Sequence, residues 1–142
     1  MYKDILLPID LDQESSWRKA LPLAVELGKS FSARLHIMTV VPDYQFHYVS
    51  QYFPAGYEEK MIAAAEERLR DFVGEHVAGN VQVQLIVLHG SIYREIAKAA
   101  EDIGADLILM ASHTPGAADF LIGPNAEKVL HHFKRSVLIV RE

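Results

Sequence analysis

The sequence contains no cysteine, so disulfides, thiolate nucleophiles and zinc–thiolate sites are all excluded. It also has no apolar run approaching the roughly 20 residues that a membrane-spanning helix requires. The first ten residues lack the hydrophobic region and the small-residue cleavage site of a secretory signal. We therefore expect a cytoplasmic protein without membrane insertion.

Positive charge is scarce as well. The chain has 14 lysines and arginines against 19 aspartates and glutamates, which gives a net charge of −5. Nucleic-acid-binding domains normally present a basic face, so we expect no nucleic acid partner. Half of the 142 residues are hydrophobic, which is enough for a single domain over residues 1–142 to bury a core.

Three well-known site motifs are missing. The sequence has neither the G-x-x-x-x-G-K-[ST] loop of P-loop NTPases nor a G-x-G-x-x-G dinucleotide motif after the first strand. It also lacks the G-x-S-x-G elbow of α/β-hydrolases, because Ser112 lies between Met110 and Thr114 at the two glycine positions. No set of nucleophile, general base and oxyanion donors is apparent, so the sequence favours a binding module over an enzyme and predicts no catalytic residue.

Seven histidines raise the question of a metal site. His131 and His132 are adjacent and would point about 100° apart on a helix, so they cannot share an ion. His36 lies inside an apolar strand and is interpreted as a hydrogen-bonded, partly buried side chain. His89 and His113 could converge at the sheet edge, but two histidines without a third ligand make a poor site. We predict no metal bound by the protein alone.

Hydrophobic periodicity predicts alternating strands and helices in the order β-α-β-α-β-α-β-α-β. Short connections between them indicate an α/β domain with a doubly wound sheet of five mostly parallel strands. The predicted strands cover about 3–9, 33–41, 81–88, 105–111 and 136–141, and the helices cover about 14–29, 57–76, 91–103 and a short stretch after 123–125.

Two segments depart from this regular pattern. Pro22 falls inside the predicted helix 14–29, so we expect either a kink there or a helix that begins later. Residues 42–56 form a long irregular segment with aromatic side chains over 44–53, which is typical of a lid or an interface. The alternative is that these aromatic side chains fold back onto the core of the domain.

Ligands of open α/β sheets bind beyond the carboxyl ends of the strands, where the strand order reverses. Polar or glycine residues follow the apolar runs here, at Asp10, at His89-Gly90 and at Ser112-His113. A polar loop then leads to a helix start at 123–125, and a helix amino terminus presents free N–H groups to phosphate. This arrangement predicts a nucleotide site.

The segment 111–125 resembles the ATP-binding motif of the universal stress protein family. That motif reads glycine, two residues, glycine, nine residues, glycine, then serine or threonine. Ala111 and Thr114 stand at the first two glycine positions, eight residues separate Thr114 from Gly123, and Pro124 replaces the hydroxyl residue. The opening ILLPID and the closing PNAEKVLHHFKRSVLIV extend the resemblance over the whole chain.

The resemblance implies a single-domain, Rossmann-like α/β fold with strand order 3-2-1-4-5. It implies ATP as the ligand, with ADP or AMP as alternatives, accompanied by Mg²⁺. The adenine and ribose would lie beside Pro8, Ile9, Asp10 and Val40, and an alternative for Asp10 is that it caps its own loop. The residues implied to bind the nucleotide are Pro8, Ile9, Asp10, Val40, Met110, Ala111, His113, Thr114, Gly123, Pro124 and Asn125.

The resemblance also implies partners. It implies a homodimer in which the last strand, here residues 136–141, pairs antiparallel with the same strand of a second copy across a two-fold axis. A narrower branch that this sequence resembles suggests a transporter or another protein as a partner. Two alternatives stay open: a nucleotide-free protein that acts through protein contacts, and a slow ATP hydrolase assisted by Asp10 and His113.

Overall fold

We describe a computed structural model of the chain over residues 1–42, 55–112 and 123–141. His113, Thr114 and the aromatic segment 44–53 lie outside the described residues. Of the described helices, none is both long and apolar enough to cross a membrane. The elements in chain order are β1 (Asp4–Pro8), a 3-10 turn (Glu14–Ser16), α1 (Ala20–Phe31), β2 (Arg34–Pro42), α2 (Tyr57–His76), β3 (Gln82–Gly90), α3 (Ile92–Asp102), β4 (Leu107–Ala111), α4 (Pro124–His132) and β5 (Ser136–Val140).

The five strands form one parallel sheet in the order β3-β2-β1-β4-β5, as the resemblance implies. The chain therefore builds outwards from β1 to β3, crosses back, and continues from β4 to β5 on the other side. β1 and β4, the strands on either side of this reversal, are neighbours at the centre of the sheet. β3 and β5 form the two edges. Accordingly, exposed and partly buried residues alternate over the first residues of β3.

Helices cover both faces of the sheet. Side chains along each central strand point alternately to the two faces, so each strand contributes to two cores. Ile5 and Leu7 pack in one core with Leu21 of α1 and Leu69 of α2. Leu6 points to the other core, which it shares with side chains of α3 and α4. Burial on both sides explains why the central strands are continuous apolar runs rather than alternating ones.

The first helix begins later than the predicted span 14–29. A short 3-10 turn covers Glu14–Ser16, and α1 starts only at Ala20. Pro22 then lies in the first turn of α1, where a backbone N–H has no acceptor within the helix, so the proline removes no hydrogen bond from inside α1. Of the two expectations for Pro22, the later start is therefore the one that the structure adopts.

A polar contact lies in the half of the sheet towards the amino ends of the strands. His36 is 1% exposed, and its Nε2 lies 2.9 Å from Asp4 Oδ1 on the neighbouring strand β1. Its Nδ1 is hydrogen-bonded to Gln84, the residue aligned with it on β3. His36 is thus a fully buried, hydrogen-bonded side chain that ties three strands together.

Candidate functional site

A crevice opens between the central strands β1 and β4 at their carboxyl ends. Their register pairs stop at Leu6↔Ile108, although each strand continues to pair with its other neighbour. The Ile9 N–H donates to Met38 O on β2, so the backbone nitrogen of Pro8 faces β4. Proline has no N–H to donate, so the β1–β4 ladder loses a hydrogen bond at the position where the pairing ends.

This crevice is part of a cavity of about 720 Å³. Its walls are the carboxyl ends of β1, β2 and β4, the loop after β1, and the sides of α2, α3 and α4. Every described residue that was predicted to bind the nucleotide lines it. These residues are Pro8, Ile9, Asp10, Val40, Met110, Ala111, Gly123, Pro124 and Asn125.

The loop after β1 is held by Asp10 and Ser16. The Asp10 carboxylate accepts a hydrogen bond from the Asp12 N–H at 2.9 Å. The Ser16 hydroxyl accepts from the Asp10 N–H at 2.9 Å and lies 2.7 Å from the carbonyl oxygen of Gln13, to which it can donate. Asp10 therefore does cap its own loop, and it remains exposed at the cavity while it does so.

The amino terminus of α4 forms another wall of the cavity. Gly123 is the N-cap residue in an extended conformation, and Pro124 is the first helical residue. Gly123 has no side chain with which to cap the helix, and the backbone N–H groups of the first helical turn have no intrahelical partner. Together with the helix dipole, these groups make this wall favourable for an anion.

Helix α2 supplies a wall that sequence reasoning missed. Met61, Ala64 and Ala65 line the cavity, and Arg68 continues the same side of the helix. The signal was the spacing of Met61, Ala65 and Arg68, at intervals of four and three residues, which places them on one side of the helix. Arg68 is exposed there, and its guanidinium contacts the Asp12 carboxylate, with Nη2 and Oδ1 3.0 Å apart.

Other polar residues at the cavity were also missed, namely Thr39 at the end of β2 and Ser15 and Ser16 in the 3-10 turn. Within residues 1–42, 55–112 and 123–141, no three histidine, aspartate or glutamate side chains come close enough to hold a metal ion. The cavity thus combines apolar strand ends, a few hydroxyls, a helix amino terminus and one ion pair. This is the composition of a site for a small polar ligand with an apolar part.

Comparison with known proteins assigns the chain to a family. The model of the universal stress protein family matches residues 1–141. The chain belongs to the universal stress protein family. Its relatives include universal stress protein G of Escherichia coli O157:H7, which is 29% identical over 143 residues covering 99% of this chain and 100% of the relative. Universal stress protein A homolog 2 of Coxiella burnetii is 29% identical over 99% of this chain and 95% of its own length.

Solved structures agree on the fold. The structure of MJ0577, a universal stress protein of Methanocaldococcus jannaschii, superposes with a TM-score of 0.75 at 26% identity, over 100% of this chain and 97% of that one. UspA from Lactobacillus plantarum gives a TM-score of 0.74 at 20% identity, over 99% and 98% of the two chains. The doubly wound α/β fold predicted from the sequence is thereby confirmed, whereas the roles of individual cavity residues stay predictions.

Proposed function

We propose that this universal stress protein binds an adenine nucleotide in the cavity between β1 and β4. ATP is the first candidate, with ADP and AMP as alternatives. The supporting observation is that all the described residues implied by the family resemblance line one cavity, although they come from three strands and a helix. Its volume of about 720 Å³ falls in the range of roughly 300–1,000 Å³ typical of small-molecule sites.

We expect different walls of the cavity to contact different parts of the nucleotide. Ile9, Val40 and Met110 present apolar surface for the base, whereas the start of α4, where Gly123 has no side chain to act as a cap, offers N–H groups and a favourable dipole to the phosphates. Mg²⁺ would accompany the phosphates and neutralise part of their charge. Asp10 would supply a carboxylate either to the ribose hydroxyls or to that metal. A universal stress protein of similar fold, with a TM-score of 0.63, has been solved in complex with cAMP.

Two measurements test nucleotide binding. The purified protein is denatured and its supernatant chromatographed, and Mg-ATP is titrated into nucleotide-free protein by calorimetry. We expect adenine nucleotide in the supernatant and a saturable heat. The absence of both would overturn the proposal and leave the alternative of a nucleotide-free protein acting through protein contacts.

A matched pair of substitutions on α2 locates the binding site. Ala65 lines the cavity and Ala63 is exposed on the same helix away from it. Ala65→Phe places a ring in the cavity and should abolish the heat of Mg-ATP binding, whereas Ala63→Phe should leave it unchanged. Equal effects of the two substitutions would place the nucleotide elsewhere.

We also propose a homodimer through β5, which is the edge strand of the described sheet, so that one row of its backbone groups has no strand partner among residues 1–42, 55–112 and 123–141. Leu138 is 37% exposed on this apolar strand. Antiparallel pairing with a second copy would satisfy the backbone and cover this side chain. By light scattering we expect a dimer that Leu138→Lys converts to a monomer, while Gln82→Lys on the opposite edge strand leaves it intact. A wild-type monomer would contradict the proposal.

The biological role that follows is a nucleotide-responsive regulator in the cytoplasm, acting on a transporter or another protein. Binding without efficient catalysis suits this role, because a bound nucleotide then reports the adenine-nucleotide state of the cell. The test is co-purification of a partner from cell extract by the tagged protein, loaded with Mg-ATP or nucleotide-free. Nucleotide-independent capture would contradict regulation by the nucleotide.

A further inference from the structure

Arg68 and Asp12 both line the cavity and are both exposed, so they lie where it opens to solvent, which we call its mouth. Arg68 extends from α2, one turn after the small residues Ala64 and Ala65, which also line the cavity. Asp12 belongs to the loop after β1, whose conformation the Asp10 carboxylate fixes through the Asp12 N–H. The 3.0 Å contact between their charged groups therefore joins helix α2 to a loop that is held by its own hydrogen bonds.

Arg68 also holds a distinctive place in the charge balance of the site. Among the described residues that line the cavity, the charged side chains are Asp10, Asp12 and Arg68. The two carboxylates disfavour an anionic ligand at the mouth, and Arg68 is the side chain that opposes them. A phosphate chain carries several negative charges, and an arginine guanidinium matches phosphate oxygens with paired N–H donors.

The ion pair is suited to being exchanged. The two side chains are 56% and 73% exposed, so water screens their attraction and competes for their hydrogen bonds. A phosphate group at the same mouth would offer Arg68 more negative charge than one carboxylate does. Exchange of the guanidinium from carboxylate to phosphate thus requires no buried group to be uncovered.

We propose that Arg68 selects anionic over uncharged adenine ligands, and that Asp12 is the competing partner which a phosphate must displace. This inference rests on the proposed nucleotide function of the cavity. It assigns opposite effects to the two members of one ion pair. Removing the arginine should weaken binding of phosphorylated ligands, and removing the aspartate should strengthen it.

Calorimetry with three probes tests this on the full chain: ATP, adenosine and inorganic tripolyphosphate, each at low salt and with Mg²⁺ present, as the proposed function requires. We expect Arg68→Gln to weaken ATP and tripolyphosphate by about tenfold or more, the value of a charge-assisted hydrogen bond, and to leave adenosine unchanged. Asp12→Asn should tighten ATP, and Arg68→Lys should retain part of the affinity. Arg70→Gln, an exposed arginine outside the cavity on the same helix, is the matched control.

The possible outcomes distinguish selection of anions by Arg68 from nucleotide binding in the cavity. If the wild type binds ATP and Arg68→Gln binds it equally well, the selection by Arg68 is refuted while nucleotide binding stands. An equal loss for ATP and adenosine also refutes it, because Arg68 would then act only as a wall. If tripolyphosphate binds through Arg68 but neither ATP nor adenosine binds, the anion role stands and the nucleotide function fails. Failure of all three probes overturns both.

Discussion

Replacing His36 by alanine removes a contact that joins three strands at the end of the sheet away from the cavity. The ring is 1% exposed, and it is hydrogen-bonded to Asp4 on β1 and to Gln84 on β3. None of these three residues lines the cavity. The change should therefore lower the free energy of unfolding and leave nucleotide affinity unaltered.

The magnitude follows from the two bonds and the lost packing. A hydrogen bond between neutral groups contributes about 1 kcal/mol, and one to a charged group such as the Asp4 carboxylate contributes roughly 1.5–3 kcal/mol. Asp4 retains access to water, which moderates the cost of leaving it unpaired. Including the ring's own burial, we expect His36→Ala to cost about 3 kcal/mol of stability.

Urea unfolding followed by tryptophan fluorescence measures this loss. Trp17 is the single tryptophan, and it packs against the rings of Phe72 and His76 at centroid distances of 4.9 and 5.0 Å, so unfolding changes its surroundings. With a slope of about 2 kcal/mol per molar urea, a loss of about 3 kcal/mol lowers the midpoint by about 1.5 M.

Two further variants test whether a lower urea midpoint comes from the lost hydrogen bonds of His36. His131→Ala, at an exposed position of α4, should leave the midpoint unchanged. His36→Leu keeps most of the side-chain volume and deletes only the hydrogen bonds, so its midpoint should fall between those of the wild type and His36→Ala. A His36→Leu protein as stable as the wild type would refute the reasoning, because the polar contacts would then contribute nothing.

Two other predictions concern α3 and the residues beside it. Gly90 has φ +142°, and an added Cβ would lie 2.7 Å from Glu95 Oε1, so Gly90→Ala should cost about 1–3 kcal/mol in urea unfolding. Gly74→Ala meets no atom within 4 Å inside helix α2 and should instead stabilise by about 0.5–1 kcal/mol; equal signs for the two would contradict the argument. The hydrogen bond from Arg94 Nε to the Tyr93 hydroxyl, 3.0 Å long, lowers the pKa of that phenol. Arg94→Leu should raise the Tyr93 midpoint in an NMR titration of labelled tyrosine, and an unchanged midpoint would show that Arg94 does not act on it.

Most of the fold could be predicted because its signals are local. Gly104 and the apolar run that follows fix the passage from α3 to β4, and the long amphipathic stripe predicts α2 over 57–76, as observed. The predicted start of α1 at about residue 14 was wrong, because Ser15 and Ser16 resemble N-cap residues in the sequence. In the structure Ser16 instead bonds to the backbone of Asp10 and Gln13 and closes a 3-10 turn. Local propensity cannot distinguish these two uses of a serine hydroxyl.

The cavity was predictable to the extent that topology determines it. Residues at the carboxyl ends of parallel strands lie at one edge of the sheet, which is why Asp10, Val40 and Ala111 could be grouped without a structure. His89 and Gly90 were grouped with them by the same rule, but they end the edge strand β3 and do not line the cavity. Arg68 lies in the middle of a helix, where no rule of topology marks a ligand contact. Its partner Asp12 is 56 residues away in sequence, so only the packing of α2 over the loop brings them together.

Pro8 is a departure from local rules at this cavity. It ends the central strand β1, where it forfeits a ladder hydrogen bond. Arg68 departs from no such rule, because its side chain is 56% exposed beside the buried stripe of α2. A residue that opposes regular pairing is expected beside a site, and Pro8 lies where the pairing of β1 with β4 ends and the cavity begins.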